Sequence, residues 1–265
     1  NTKAIITVDY TGQPAEYDEI ISLAQKHGII VIGDAAHGLG ASYKGKFVGS
    51  IADMTMFSFH PVKHITTGEG GMITTNNERY YERLVEFRSH GITRNPMKLN
   101  GNQEPWYYEM QELGFNYRMT SFQAALGLSQ VKKLNKFLEN RRKYAEIYNN
   151  AFKNTNEIIT PCQQKYCHSS WHLYIIRLNL KKLNTDRNEI FKALQKENIG
   201  VNVHYIPVYL HPYYRKLGYK HGLCPQAERI YQEIITLPLF PKMSEQDVND
   251  VIAGVKKVVS YFSIE

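Results

Sequence analysis

Short apolar runs alternate with amphipathic stretches through the first half of the chain. Ala4–Val8 is a β-branched run that stops at Asp9, which predicts a buried strand. From Pro14 a helical rhythm sets in, with Ile20, Ile21, Leu23 and Ala24 on its inner side, and it closes at Gly28. Residues 29–32 (IIVI) form a second strand run that ends at Gly33-Asp34. Strand, helix and strand at this spacing make a βαβ unit. Apolar runs without polar alternation imply a parallel sheet covered on both faces. Residues 54–59 and 72–75 predict further strands, and residues 78–90 a helix.

A loop rich in Gly, Asn and Pro follows, from Gly91 to about Gly114, and then two helical stretches at 121–135 and 137–152. Beyond them the order of elements changes. Strands are expected at 172–180 and 201–204, with helices at 187–197 and Glu245–Tyr261. This alternation predicts a smaller α+β domain. The expected division is a large domain over residues 1–140 and a C-terminal one over 141–265.

Composition narrows the class. Hydrophobic residues make up 43% and charged residues 22%, values of a globular chain rather than a disordered one. No apolar run reaches the length of a membrane helix, and no secretory signal pattern is visible at the start. Three cysteines without C-x-x-C spacing point to reduced thiols and a cytoplasmic protein. The net charge of +7 is compatible with nucleic acid, an anionic membrane or a phosphorylated small molecule. Neither zinc-finger spacing nor an aromatic nucleic-acid motif accompanies it, so neither nucleic acid nor membrane is the expected partner. The densest basic stretch is Lys132, Lys133, Lys136, Arg141, Arg142 and Lys143. It is interleaved with Leu126, Leu128, Val131, Leu134 and Leu138, and reads as a solvated helix face.

Candidate chemistry gathers where strands end. In open α/β sheets, ligands bind beyond the carboxyl ends of the strands. Asp34 stands at such an end, before Ala35, Ala36, His37 and Gly38. It could hold a cationic ring nitrogen, a ribose hydroxyl or a metal, or simply cap a helix. Lys63 leaves the strand run 54–59 and enters a loop with Thr66, Thr67, Gly68, Gly70 and Gly71. Partial desolvation there lowers a lysine pKa and frees its amine; the plain alternative is a surface lysine in a loop. Ser58 can donate a hydrogen bond to a phosphate. His60 and His64 have i,i+4 spacing, but Pro61 disfavours a helix through them and no carboxylate completes a ligand set, so no metal is expected. The aromatic segment at 204–214 either stacks on a base or sugar or packs as an ordinary loop.

Taken in order, several segments resemble the DegT/DnrJ/EryC1/StrS family of sugar aminotransferases. They are Gly12-Gln13-Pro14-Ala15, residues 34–41 (DAAHGLGA), residues 58–63 (SFHPVK) with 68–71 (GEGG), residues 114–119 (GFNYRM) with Gln123-Ala124-Ala125, and residues 237–241 (LPLFP). The likeness spans essentially the whole chain. It implies a type I fold that uses pyridoxal 5′-phosphate, here as a partial large domain with a mainly parallel sheet and a smaller C-terminal α+β domain. By that resemblance Lys63 bonds covalently to the cofactor and moves the proton in catalysis. Asp34 pairs with the pyridinium nitrogen, which keeps the ring an electron sink. Ser58 binds the cofactor phosphate, and His37 stands where many relatives place a glutamine beside the ring. Asn116 matches an asparagine that reaches the cofactor of a neighbouring subunit, so a homodimer with shared sites is implied. Relatives carry roughly a hundred further residues before the point where this sequence begins.

The resemblance also implies the reaction. An amino group passes from L-glutamate to C4 of a UDP-linked 4-keto-6-deoxy-N-acetyl hexosamine, the chemistry of the pseudaminic acid branch. His172, His204 and Tyr205 are expected to line the sugar-nucleotide pocket. A dTDP- or GDP-linked keto-sugar is the alternative substrate. An incomplete fragment that keeps only the dimer-forming surface is the alternative from another class.

Overall fold

The computed structural model describes residues 1–101 and 104–264. They divide into two compact units: Asn1–Leu134 with Tyr166–His168, and Asn135–Lys165 with the chain from Ser169 onward. This division precedes the expected 140/141 boundary. The reason is a single helix, Leu134–Phe152, that runs through residue 140 and buries Leu138, Tyr144, Tyr148 and Phe152.

The first unit contains β1 (Ala4–Val8), α1 (Tyr17–Lys26), β2 (Ile30–Asp34), β3 (Ser42–Tyr43), β4 (Lys46–Phe47), β5 (Met54–Ser58) and β6 (Gly71–Thr74). It continues with α2 (Glu78–Phe87), β7 (Ile92–Thr93), β8 (Glu109–Met110) and α3 (Ser121–Val131). The main sheet has the order β1-β2-β5-β6. The first three strands are parallel, with Asp34 opposite Val8 on one side and Met56 on the other. β6 returns antiparallel, pairing Ser58 with Gly71. The expectation of a sheet covered on both faces needs correction at its edges, because Ile6 and Val8 in β1 and Met72 and Ile73 in β6 are exposed. The buried centre is formed by Ala35, Ala41, Val48, Phe57, Phe59 and Ile65.

Local hydrogen bonding moves some element boundaries. α1 begins at Tyr17 rather than Pro14, because the Asp9 carboxylate takes the Ala15 N–H at 2.9 Å and holds the preceding segment out of the helix. The expected loop at 91–114 contains a ribbon in which β7 and β8 pair Ile92 with Met110. It pinches at Gly91, whose φ is +68° and where a Cβ would lie 1.7 Å from the Glu112 carbonyl oxygen. Thr120 and Gln123 form a capping box at the start of α3. None of the residues of α3 is buried, and Phe122 is 91% exposed.

The second unit is built from α4 (Leu134–Phe152), β9 (Ile158–Ile159), β10 (Tyr174–Leu178), α5 (Arg187–Lys196), α6 (Pro212–Lys216), α7 (Pro225–Glu233), β11 (Ile234–Leu237) and α8 (Glu245–Tyr261). The sheet β11-β10-β9 is antiparallel throughout. Its core joins Tyr148 and Phe152 of α4, Tyr174 and Ile176 of β10, Ile190 and Leu194 of α5, Ile235 of β11, and Val248 and Val255 of α8. The strand expected at 201–204 is reduced to one bridge, Asn202 with Thr236. The Asn202 side chain accepts from the Val203 N–H at 2.7 Å, a local bond that competes with a ladder.

Arg141 is not on a solvated face. It is buried on α4 and donates to the carbonyls of Trp171, His172 and Leu239 at 3.2, 3.0 and 2.9 Å. Burial pushes its guanidinium pKa down to about 10. The same helix takes the carbonyls of Pro238 through Tyr148 at 2.9 Å, of Pro241 through Asn140 at 2.9 Å, and of Met243 through Tyr144. Side chains of one helix thus hold the run 238–243 by its backbone.

Cys162 and Cys224 are exposed, Cys167 is buried, and all three are free thiols. Among the described residues no helix is long and apolar enough to cross a membrane. Truncating fully buried Ile235 to Ala is expected to cost about 2–5 kcal/mol. Ile73→Ala, on an exposed position, is expected to stay within about 0.5 kcal/mol of wild type. Urea unfolding of both variants is the measurement.

Candidate active site

Parallel pairing of β2 with β5 brings the expected site residues of the first unit to one end of the sheet. Asp34 is the last residue of β2 and Ser58 the last of β5. The Ala36 N–H donates to Asp34 Oδ1 at 3.1 Å, which fixes one carboxylate oxygen and orients the other. Ser58 Oγ accepts from the His60 N–H at 3.3 Å.

Lys63 follows in a loop closed by backbone bonds at both ends. The Phe59 N–H donates to the Gly70 carbonyl at 2.8 Å, and the Phe59 carbonyl accepts from the Thr67 N–H and the Thr66 hydroxyl, both at 3.0 Å. Gln123 of α3 adds a tie to the Glu69 carbonyl at 2.9 Å. The lysine is therefore carried on an anchored turn. Its pKa is lowered by burial, while the charge of Asp34 pulls in the opposite direction. That opposition places the carboxylate and the amine in one electrostatic neighbourhood. His60 is exposed and His64 buried, so the two imidazoles lie in different surroundings. Among the described residues no group of three or more His, Cys, Asp and Glu is placed to hold a metal ion.

Asp9 is a site residue that sequence reasoning missed. It directly follows β1, next to Asp34 at the end of β2, and its N–H donates to the Asp34 carbonyl at 3.0 Å. Its carboxylate is fully buried and accepts from the Ala15 N–H at 2.9 Å and the Tyr17 hydroxyl at 3.0 Å. Burial raises its pKa to about 6; the bonds from Ala15 and Tyr17 oppose the rise and the charge of Asp34 adds to it. A Cβ at Gly38 would lie 3.0 Å from Asp9 Oδ2, so the absence of a side chain there admits the carboxylate. The turn after Asp9 reaches His37, whose Nδ1 accepts from the Thr11 N–H at 3.3 Å. In the neutral ring this puts the proton on Nε2. The available signal was the repeated pattern of an apolar strand ending in Asp.

Asn116 is exposed, and its backbone bridges to Ser89. The three remaining candidates belong to the second unit. His172 is buried and its carbonyl accepts from Arg141. His204 Nδ1 lies 2.8 Å from the Thr236 hydroxyl. Tyr205 is exposed, with its ring edge-on to His204 at a centroid distance of 4.6 Å.

The donor set of the first unit fits pyridoxal phosphate. A buried-side amine, a strand-end carboxylate and a strand-end hydroxyl beside a Gly/Thr loop match the cofactor's aldehyde, ring nitrogen and phosphate. Residues 1–256 match the DegT/DnrJ/EryC1/StrS aminotransferase family. The spore coat polysaccharide biosynthesis protein SpsC of Bacillus subtilis is 40% identical over 260 residues, covering 97% of this chain and 67% of that protein. A UDP-4-amino-4,6-dideoxy-N-acetyl-β-L-altrosamine transaminase of Campylobacter jejuni is 40% identical over 248 residues, covering 94% of this chain and 63% of that protein. Among solved structures, the putative sugar aminotransferase Spr1654 of Streptococcus pneumoniae in its PMP form superposes with a TM-score of 0.89 at 33% identity, covering 98% of this chain and 70% of that one. Its PLP form gives 0.88. The chain spans about two thirds of the length of the relatives it matches.

The raised pKa of Asp9 carries a stability signature. The fold favours its neutral form, so between about pH 4 and 6 the native state holds a proton that the unfolded chain releases. Stability contributed by this group therefore falls as pH rises through that window. Asp9→Asn is expected to remove a slope amounting to about 3 kcal/mol across it. Urea unfolding of wild type and variant at intervals from pH 4 to 7 checks this.

Proposed function

Because the chain belongs to the DegT/DnrJ/EryC1/StrS family of pyridoxal phosphate-dependent sugar aminotransferases, we propose that it transfers an amino group from L-glutamate to C4 of a UDP-linked 4-keto-6-deoxy-N-acetyl hexosamine. The observation that carries the reading is the Lys63–Asp34 pair at the carboxyl end of β2 and β5. When bound, the cofactor supplies an electron sink that stabilises negative charge on the carbon bearing the amino group.

Each residue then has a stated task. Lys63 anchors the cofactor at its aldehyde carbon. Its lowered pKa would leave more of the amine neutral, so that with the cofactor bound Lys63 would be the group to hold and move the proton of the amino-bearing carbon. Asp34 holds the proton on the ring nitrogen. The Ser58 hydroxyl donates to the phosphate. His37, with Nδ1 occupied by the Thr11 N–H, would keep Nε2–H available as a donor beside the cofactor ring. In the second unit, His172, His204 and Tyr205 belong to the wall that receives the sugar nucleotide, and the aromatic rings of that segment offer flat faces to uracil or sugar.

The active form is a homodimer in which Asn116 reaches the cofactor of the partner. Support comes from apolar side chains left exposed on the same unit: Met97, Trp106, Met110, Tyr117, Phe122 and Leu128. Large apolar side chains left exposed in this number are what an interface between copies would cover. Three free thiols suit a reducing cytoplasm. A second reading keeps the reaction and changes the sugar, and the likeness to SpsC favours it.

Borohydride reduction of the loaded enzyme is expected to fix the cofactor to Lys63, read by peptide mass, and Lys63→Ala to abolish transamination. Labelling of another lysine would overturn the assignment. Asp34→Asn is expected to preserve the fold by circular dichroism and to slow the glutamate half-reaction by about 10²-fold or more. Shared sites predict recovery of activity when Lys63→Ala and Asn116→Ala chains exchange into hybrid dimers. Proven exchange without recovery contradicts them. Assays with UDP-, dTDP- and GDP-linked 4-keto sugars decide the substrate.

A further inference from the structure

Helix α3 buries none of its residues, yet one side of it meets the loop that carries Lys63. Met119, just before the helix, and Gln123 and Gly127 within it are spaced four residues apart, the interval that repeats along one helix face. A Cβ at Gly70 of the loop would lie 3.0 Å from Met119 Cε, and a Cβ at Gly127 would lie 2.9 Å from the Thr67 methyl. Between these two close approaches, Gln123 Nε2 donates to the Glu69 carbonyl at 2.9 Å.

The Gln123 amide is used at both of its ends. Oε1 accepts from the Thr120 N–H at 2.9 Å and from the Thr120 hydroxyl at 3.0 Å, which closes the capping box. That task needs only an acceptor, and glutamate performs it as well as glutamine. The bond to Glu69 needs an N–H, which only the amide supplies. The same Glu69 carbonyl accepts from the Thr67 hydroxyl at 2.8 Å, and the Thr67 N–H closes the loop on Phe59. One side chain thus joins the start of α3 to the closure of the turn on which Lys63 stands.

We propose that Gln123 is a positioning residue for Lys63: through the Glu69 carbonyl it clamps the 59–71 loop to α3 and so fixes where the lysine amine stands relative to Asp34. The proposal rests on the reading of Lys63 as the cofactor's anchor and deepens it, by naming what holds the anchor still. A clamped loop keeps the amine partly out of water, and burial is what lowers its pKa against the pull of Asp34. It also confines the amine to the narrow range of positions that a proton transfer requires.

Three variants separate the clamp from the cap. Gln123→Glu keeps an acceptor for the capping box and loses the donor to Glu69. Gly127→Ala gives the better helix former, but it crowds the buried Thr67 methyl, which the hydroxyl bond to Glu69 keeps from turning away. Thr120→Ala weakens the cap and leaves the Gln123–Glu69 bond in place. Trace acetylation of Lys63 against pH in the cofactor-free protein, read by peptide mass, reports the state of its amine. Gln123→Glu and Gly127→Ala are expected to move that profile upward, toward an ordinary lysine, and to speed hydrogen exchange over residues 64–70. Thr120→Ala is expected to leave both at wild type. In the loaded enzyme, the first two variants should lower the saturating rate of the glutamate half-reaction about tenfold, with the half-saturating glutamate concentration within about twofold of wild type.

A shifted profile in Gln123→Glu alone reports only the added charge and overturns the positioning role. An equal shift in Thr120→Ala overturns it too, since any loosening of α3 would then suffice. A shift in both clamp variants without a slower half-reaction makes the clamp structural and overturns its part in the reaction. Wild-type profiles in all three variants overturn the role while the assignment of Lys63 stands, as long as borohydride fixes the cofactor there. If borohydride fixes it to another lysine, both fall.

Discussion

Everything proposed for the first unit depends on parallel register between β2 and β5. In that register Asp34 lies opposite Met56, so the strand-end carboxylate and the turn carrying Lys63 leave the sheet on the same side. An antiparallel neighbour would send the lysine to the opposite end. The antiparallel strand β6 serves a different purpose, bringing Gly71 back beside Ser58 and closing the loop between them. One pairing direction gathers the reactive groups, and the other confines the segment that carries them.

That arrangement also explains the ordering of charges. Two carboxylates stand at the ends of adjacent strands, but their surroundings set them apart. Asp34 receives the Ala36 N–H, and its charge is felt by the amine of Lys63. Asp9 is sealed beneath Gly38 and bonded to Ala15 and Tyr17, where burial dominates and favours the neutral form. The two carboxylates divide the labour: Asp34 is the one proposed to meet the cofactor, and Asp9 shapes the turn that meets His37.

Much of this was legible in the sequence. The strand runs ending at Asp34 and near Ser58 declared themselves by their apolar character, and α8 was recovered to its terminal residues, which the Ser244–Asp247 capping box fixes in the structure. What escaped depends on partners distant along the chain. Arg141 sits in a run of lysines that reads as solvated, and only the carbonyls of residues 171, 172 and 239 turn it inward. Glu228 is buried in a helix of ordinary polar composition, and the groups that bond its carboxylate, Tyr209 and Gly222, are brought to it by a loop with no periodicity of its own. Helix α7 and strand β11 were missed together, because the apolar run of the strand is only four residues long and begins directly after the helix.

The grip of α4 on the run 238–243 has an asymmetric consequence for sequence drift. Asn140, Arg141, Tyr144 and Tyr148 all address main-chain oxygens, so these polar contacts read a path, while Leu239 and Met243 are held by their burial in the core. On the strand-exit side, an exposed residue such as Phe240 is free to change so long as the backbone keeps its course. On the helix side each residue is committed, Arg141 most of all, since three carbonyls share its Nη1. Divergence at this joint should accumulate on one partner and be rare on the other.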